Sequence, residues 1–238
     1  MTGEVVMTEK AGEKIVLYGP NGAGKSAVIV SLISTIKPHY RSVDIPTILD
    51  KTGLNIQLPD GRGDLVVWHI DAVKARQIGA VRGCGTVFGG EEAYFAGELG
   101  LFAVHCPEVA RRLYLEVYYD RFYDPDLGWI SIRNLSYGQK RRLAIEAALA
   151  TGDFVAIENF EAGLHVDYVA DIMKQMAESD AAVVLETHSG LVLRLAMRYG
   201  FNMYYVEPAK QSVKLKRIER LDDTELFQRE LSAYQAVV

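Results

Sequence analysis

Two cysteines, Cys84 and Cys106, are all that the 238 residues contain. That is too few for a disulfide framework and in keeping with a reducing compartment. Neither has a neighbouring set of metal-ligating residues, so both read as small core residues. Cation excess is missing as well: 26 Lys+Arg stand against 31 Asp+Glu, a formal net charge of −5. The molecule as a whole therefore does not attract nucleic acid. No apolar run approaches the roughly 20 residues of a membrane span. The opening stretch MTGEVVMTEK carries acids where a secretory signal needs bases followed by an apolar segment. Linkers, repeats and low-complexity tracts are absent too. What remains is ordinary for a folded globule, 49% hydrophobic and 24% charged residues, and excludes an intrinsically disordered chain. The expectation is a cytoplasmic protein without membrane insertion, folded as one domain over residues 1–238.

Apolar stretches of two lengths alternate along the chain. Short β-rich runs fall at 4–8, 14–18, 65–70, 154–157, 182–186 and 203–206, with helical spacing at 26–36, 141–149, 166–176 and 191–199. Strands alternating with helices of this length predict an α/β fold, a mostly parallel sheet flanked by helices. Runs such as IVLY and FVAI lack polar alternation, as strands covered on both faces should. Residues 38–70 carry turn signals at Lys51-Thr52-Gly53 and Pro59-Asp60-Gly61 and predict an antiparallel β-lobe. Residues 91–134 hold helix formers and aromatics, among them Tyr114, Tyr118, Tyr119, Phe122 and Tyr123, and predict a small helical lobe. Residues 221–238 read as an amphipathic helix.

The strongest local signal is Gly19-Pro20-Asn21-Gly22-Ala23-Gly24-Lys25-Ser26, a G-x-x-x-x-G-K-S run between a buried-type strand and a helical pattern. Glycines let the backbone wrap with its N–H groups pointing inward at phosphate oxygens. The following helix adds its free N–H groups and positive dipole end. Lys25 reaches the β- and γ-phosphates in such a cradle, and the Ser26 hydroxyl ligates Mg²⁺. The cofactors implied are ATP and Mg²⁺, and the fold implied is that of a P-loop NTPase.

Further along stands Leu135-Ser136-Tyr137-Gly138-Gln139, followed by a helical run. With this the chain resembles the ATP-binding-cassette ATPases, whose signature reads LSGGQ; Tyr137 takes the place of the first of the two glycines. In that family the signature loop of one subunit caps the γ-phosphate held by another. The resemblance thus implies an ATP-dependent homodimer, or a dimer with a paralogue, in which Ser136, Gly138 and Gln139 complete the partner's site. On its own, Ser136 also fits an N-cap on a surface helix. The stretch Phe154-Val155-Ala156-Ile157-Glu158-Asn159-Phe160-Glu161-Ala162-Gly163-Leu164-His165 looks like the family's Walker B strand and D-loop. Glu158 stands where the metal-binding Asp is usual, and Asn159 where the general base is usual. An amide orients water but does not accept its proton, and losing a general base costs about 10²–10⁴-fold in rate. Slow ATP hydrolysis is expected, with Glu161 or Glu91 as substitute bases. Thr187-His188-Ser189 falls where the family keeps its switch histidine. The family's glutamine after a strand is missing near Gly85–Glu92.

The wording over Glu161–His165 and Leu185–Ser189 resembles the soluble branch, that of RecF-like, SMC-like and stand-alone ATPases, more than the transporter subunits. Only 108 positions, 27 to 134, separate Ser26 from Leu135, and they hold no sustained heptads, so no coiled-coil arm is expected. DNA maintenance is a candidate role. Two basic clusters, Lys140-Arg141-Arg142 and Lys214-Leu215-Lys216-Arg217, are the candidate DNA contacts, although each also fits a solvated face. Arg62-Gly63-Asp64 reads as a hairpin turn, and His39, His69 and His105 point to no role. A non-hydrolysing ATP-sensing module and a transporter's nucleotide-binding subunit are the alternatives.

Overall fold

The computed structural model describes residues 6–8, 12–37, 54, 57–59, 65–80, 92–94, 121–124, 128–131, 134–207, 213–223, 227–229 and 232. Three strands that are apolar almost throughout make its centre: β2 (Lys14–Tyr18), β9 (Phe154–Ile157) and β10 (Ala182–Thr187). β10 lies parallel between the other two, with Leu185 opposite both Val16 and Ile157. Side chains of a strand alternate between its faces, and the burial follows that rule. Ile15, Leu17, Phe154, Ala156, Ala182 and Val184 enter one core together with Val28, Ile29, Leu32 and Ile33 of α1 (Lys25–Ile36). Val16, Tyr18, Val155, Ile157, Val183 and Leu185 enter the other. That second core is covered by α2 (Tyr137–Thr151), α3 (Val166–Glu178) and α4 (Gly190–Arg198). The result is a helix–sheet–helix sandwich of the P-loop NTPase type.

Among the described residues the sheet has eight strands, in the order β12-β11-β2-β10-β9-β4-β5-β6. β11 (Asn202–Glu207) and β4 (Val67–Ile70) extend the parallel set on either side. β12 (Lys214–Arg217), β5 (Lys74–Ile78) and β6 (Glu92–Tyr94) join antiparallel at the margins. Two small pairs stand apart: β1 (Val6–Thr8) with β3 (Gln57–Pro59), and β7 (Arg121–Asp124) with β8 (Gly128–Ser131). Among the described helices, none is long and apolar enough to cross a membrane.

Two expectations change. Residues 67–70 are not confined to an antiparallel lobe; β4 is antiparallel to β5 but also runs parallel on β9, with Val67 opposite Phe154. Its four residues are all buried, which an interior strand supplies and a lobe edge does not. In the stretch expected to be a helical lobe, the described residues 92–94, 121–124 and 128–131 are strands. Aromatic and β-branched residues suit a pleated surface, and Gly128 at φ 74° turns the β7–β8 hairpin. Residues 38–53 and 95–120, with Tyr114, Tyr118 and Tyr119, lie outside the described residues. So do Arg62–Asp64, Cys84, Cys106, residues 85–91, His39 and His105. In the segment read as a C-terminal amphipathic helix, Leu221–Asp223 is a 3-10 turn, the described residues 227–229 and 232 are helical, and Phe227 is buried in the core beneath the guanidinium of Arg194.

Lys14 fixes the start of β2 against the α3–β10 turn, donating to the carbonyls of Gly12, Ser179 and Ala181. Burial lowers its pKa from 10.5 to about 8, with Asp180 pulling the other way. The unfolded chain therefore holds this proton to higher pH than the folded one, so the stability due to this group rises with pH between about 8 and 10.5. Urea denaturation across that interval should show the rise in the wild type and lose it in Lys14→Met. An identical slope in the two proteins would contradict the assignment.

Candidate functional site

The chain leaves β2 at Tyr18 and wraps tightly before α1 begins. A Cβ on Gly19 would lie 2.6 Å from the carbonyl oxygen of Val206, so only glycine fits there. Gly24 caps α1 at φ 97° with no side-chain hydrogen bond to the helix end, leaving the first N–H groups of the helix open toward the cradle. The backbone of Ala23 donates to Pro20 across the loop at 3.3 Å, closing the turn.

Lys25 is 3% exposed. Its Nζ donates to the carbonyls of Gly19 (3.0 Å) and Pro20 (2.9 Å) and lies 3.6 Å from Glu186 Oε1. Burial lowers the pKa of the ammonium, opposed by the charges of Glu186 and Glu161. The Ser26 hydroxyl donates to Glu186 Oε2 at 2.9 Å.

Glu158 follows β9, held by its backbone N–H on the carbonyl of Ile70. Its Oε1 meets His69 Nε2 at 2.7 Å. Burial alone would raise this carboxyl's pKa, but the His69 bond and charge, the Ser26 hydroxyl and Arg141 outweigh it and hold it below the ordinary carboxylate range. Asn159 sits at φ 48°, in the left-handed region, which asparagine tolerates better than glutamate. Glu161 turns back to the loop after β10: Oε2 accepts from Thr187 Oγ1 (2.8 Å) and Oε1 from the backbone N–H of His188 (2.9 Å). His188 Nε2 in turn lies 3.6 Å from Glu186 Oε1. Lys25, Ser26, Glu158 and His188 are thus gathered at the carboxyl ends of β2, β9 and β10, where open α/β sheets bind ligands.

The signature segment takes the N-cap form that Ser136 allows on its own. Ser136 and Gln139 form a capping box on α2: Gln139 N–H donates to Ser136 Oγ (3.3 Å), and Gln139 Oε1 accepts from Ser136 N–H (2.9 Å). The Tyr137 hydroxyl donates to the carbonyl of Ala72 at 2.7 Å. Its ring lies where a Cβ of Gly163 would be, while a Cβ on Gly138 would strike the Gly163 carbonyl. Gly138 and Gly163 are therefore required by the close approach of α2 to the loop after β9 within one chain.

Arg141 is fully buried and is not a surface cation. It donates to the carbonyls of Asp71 (2.5 Å), Glu158 (2.6 Å) and Asn159 (2.9 Å). Arg142 donates to Glu146 at 2.8 Å and lies over the Tyr168 ring, and Lys140 is buried as well. The expectation of a DNA contact at residues 140–142 is thereby corrected: helix packing has taken these charges inward. Lys214, Lys216 and Arg217 are exposed on β12, the sheet's edge strand, where charges guard against edge-to-edge pairing. Sequence reasoning missed Glu186 and His69. The available signal was a polar residue inside an otherwise apolar strand, AVVLE and VVWHI, since buried polar groups are the informative exceptions.

A family model described as "AAA domain, putative AbiEii toxin, Type IV TA system" matches residues 91–195, a span that takes in α2, β9, α3 and β10. Over that span the chain is similar to an AAA-type ATPase domain. It is also 30% identical over 210 residues to the molybdenum import ATP-binding protein ModC of Mycobacterium tuberculosis (strain CDC 1551 / Oshkosh), covering 82% of this chain and 52% of that protein. The chain thus spans about half the length of the curated relatives it matches. Among solved structures, an ATP-binding subunit of an ABC transporter is similar at 18% identity over 94% of this chain and 84% of that one, with TM-score 0.47. The SMC head domain from Thermotoga maritima is similar at 14% identity over 87% and 91%, with TM-score 0.43.

Replacing Arg141 by alanine would take this donor from the carbonyls of Asp71 and Glu158, while that of Asn159 keeps the N–H of Ala162. At about 1–3 kcal/mol for each buried group left unsatisfied, Arg141→Ala should cost at least about 2 kcal/mol of folding stability. Arg141→Lys should restore only part of it, because an ammonium lacks the guanidinium fork. The urea midpoints of the three proteins measure this, and a loss under about 1 kcal/mol in the alanine variant would contradict the arrangement.

Proposed function

We propose that this chain binds Mg-ATP in the 19–26 cradle, dimerises head-to-tail around two nucleotides and hydrolyses them slowly. The observation that carries this reading is the pairing of Lys25 and Ser26 with carboxylates at the ends of neighbouring parallel strands. The residue set suits a nucleotide: glycine-only backbone at Gly19, an uncapped helix start at Gly24, and a lysine whose acceptors are otherwise two carbonyls and a carboxylate. Lys25 would meet the β- and γ-phosphates. Ser26 and Glu158 would hold Mg²⁺, which when bound neutralises phosphate charge and polarises the γ-phosphoryl group. His69, on Glu158, would hold that carboxylate in one orientation, as outer partners of metal ligands do.

Slow turnover follows from Asn159, which does not take a proton from water. Glu161 is tied by both oxygens to the β10–α4 loop, and its role in this reading is to hold His188 near the γ-phosphate. Dimerisation follows from the helix start at Ser136. A partner's γ-phosphate adds acceptors to an N-terminus that its own capping box satisfies only in part. ATP then favours the dimer because its phosphates have contacts there that the monomer lacks.

Equilibrium binding of Mg-ATP and light scattering test the reading together. Wild type should bind nucleotide and dimerise with it, and Lys25→Ala should do neither. Ser136→Arg should bind as a monomer and fail to dimerise; dimers persisting in that variant would rule out the composite site. A second reading is favoured by the 30% identity to ModC, namely a nucleotide-binding subunit of an importer. Co-purification of the chain with an integral membrane protein would support that reading over a free dimer.

A further inference from the structure

Glu186 is out of pattern. Position by position, β10 sends Ala182 and Val184 into the core beneath α1, and the alternation sends the next residue of that face, 186, to the same side. An apolar residue there would cap the core; instead a carboxylate arrives at the strand end, under the first turn of α1. It is 7% exposed. Its two oxygens are spent on the functional groups of the cradle, Oε2 accepting from Ser26 Oγ at 2.9 Å and Oε1 lying 3.6 Å from Lys25 Nζ. The His188 ring stands on the same oxygen at 3.6 Å. A carboxylate so placed does to Lys25 what a phosphate would do.

The consequences for a polyphosphate differ with its counterion. A free nucleoside triphosphate arriving at Lys25 brings several negative charges next to a buried carboxylate, in a setting where water screens little. Like charges juxtaposed this way repel strongly. A divalent cation, which Ser26 and Glu158 would hold, would neutralise phosphate charge beside Glu186 and remove that cost. The Ser26 hydroxyl lies within reach of both Glu158 and Glu186 and donates to Glu186 Oε2 at 2.9 Å, so its oxygen keeps lone pairs for a cation.

We infer that Glu186 makes the cradle selective for the cation complex of a nucleoside triphosphate over the free polyanion, by occupying Lys25 and Ser26 until a divalent cation accompanies the phosphates. This rests on the nucleotide-binding reading above and adds the chemical form of the ligand that is taken.

Binding of a fluorescent ATP analogue in excess EDTA and in excess Mg²⁺ reads the effect without any turnover. Wild type should bind much more tightly with Mg²⁺. Glu186→Gln keeps the Ser26 bond without the charge and should shrink that ratio by about tenfold or more, mainly by tightening binding in EDTA. Glu186→Asp should keep a large ratio. Glu186→Thr, β-branched and still offering an oxygen to Ser26, gives the same readout as Glu186→Gln should the amide variant fail to fold. An unchanged ratio in the neutral variants, or equal weakening in both buffers, overturns the inference and leaves nucleotide binding standing. If wild type binds the probe no better than Lys25→Ala in either buffer, the nucleotide reading fails, and the inference with it.

Discussion

A buried ammonium has to find acceptors, and around Lys25 three come from two directions: its own loop through Gly19 and Pro20, and β10 through Glu186. Desolvating a charge is tolerated only where such partners are in place. That requirement fixes the end of β10 beside the start of α1, and the loop geometry around both follows from it. Gly19 must be glycine because Val206 is so close, and Gly24 because α1 starts from a left-handed residue. Glu186 in turn faces His188, whose backbone is held by Glu161 from the loop after β9. One ion thereby links β2, α1 and β10, and β9 through Glu161.

A second tie works from the other face of the sheet. Arg141 of α2 reaches through to the carbonyls of Glu158 and Asn159, and to Asp71 after β4. Tyr137 and Gly138 press the same helix against Gly163 and Ala72. The start of α2 and the loop that carries Glu158 and Asn159 are therefore tied directly to each other. In the proposed dimer, a partner's phosphate at Ser136 would be felt at Glu158 of the chain that contributes Ser136. The left-handed backbone at Asn159, held by Arg141, is part of that tie. It offers a structural reason for asparagine where a general base is usual.

The parts of the site written as contiguous residues were readable beforehand. The cradle 19–26 and the segment 135–139 each carry their geometry in local backbone chemistry, and the apolar strands β2, β9 and β10 have unmistakable composition. What could not be read lies in pairings across the fold. Glu186 meets Ser26 across 160 residues, and His69 meets Glu158 across 89; no spacing rule connects them. β4 looked like the end of a β-lobe because its neighbours in sequence carry turn signals, whereas its place is set by parallel pairing with β9 far along the chain. The residues of β7 and β8 suit a helix as well as a strand because aromatics serve both structures, and their antiparallel pairing decides for strand. The cations at 140–142 looked like a surface cluster since sequence does not show which face of α2 is buried.

Phosphate release from Mg-ATP as a function of protein concentration, with Lys25→Ala as the blank, tests the central claim most directly. The composite, weakly hydrolysing site predicts slow release that climbs more steeply than linearly with protein and vanishes in the blank. Release that is strictly proportional to protein, or that persists undiminished in Lys25→Ala, would contradict it.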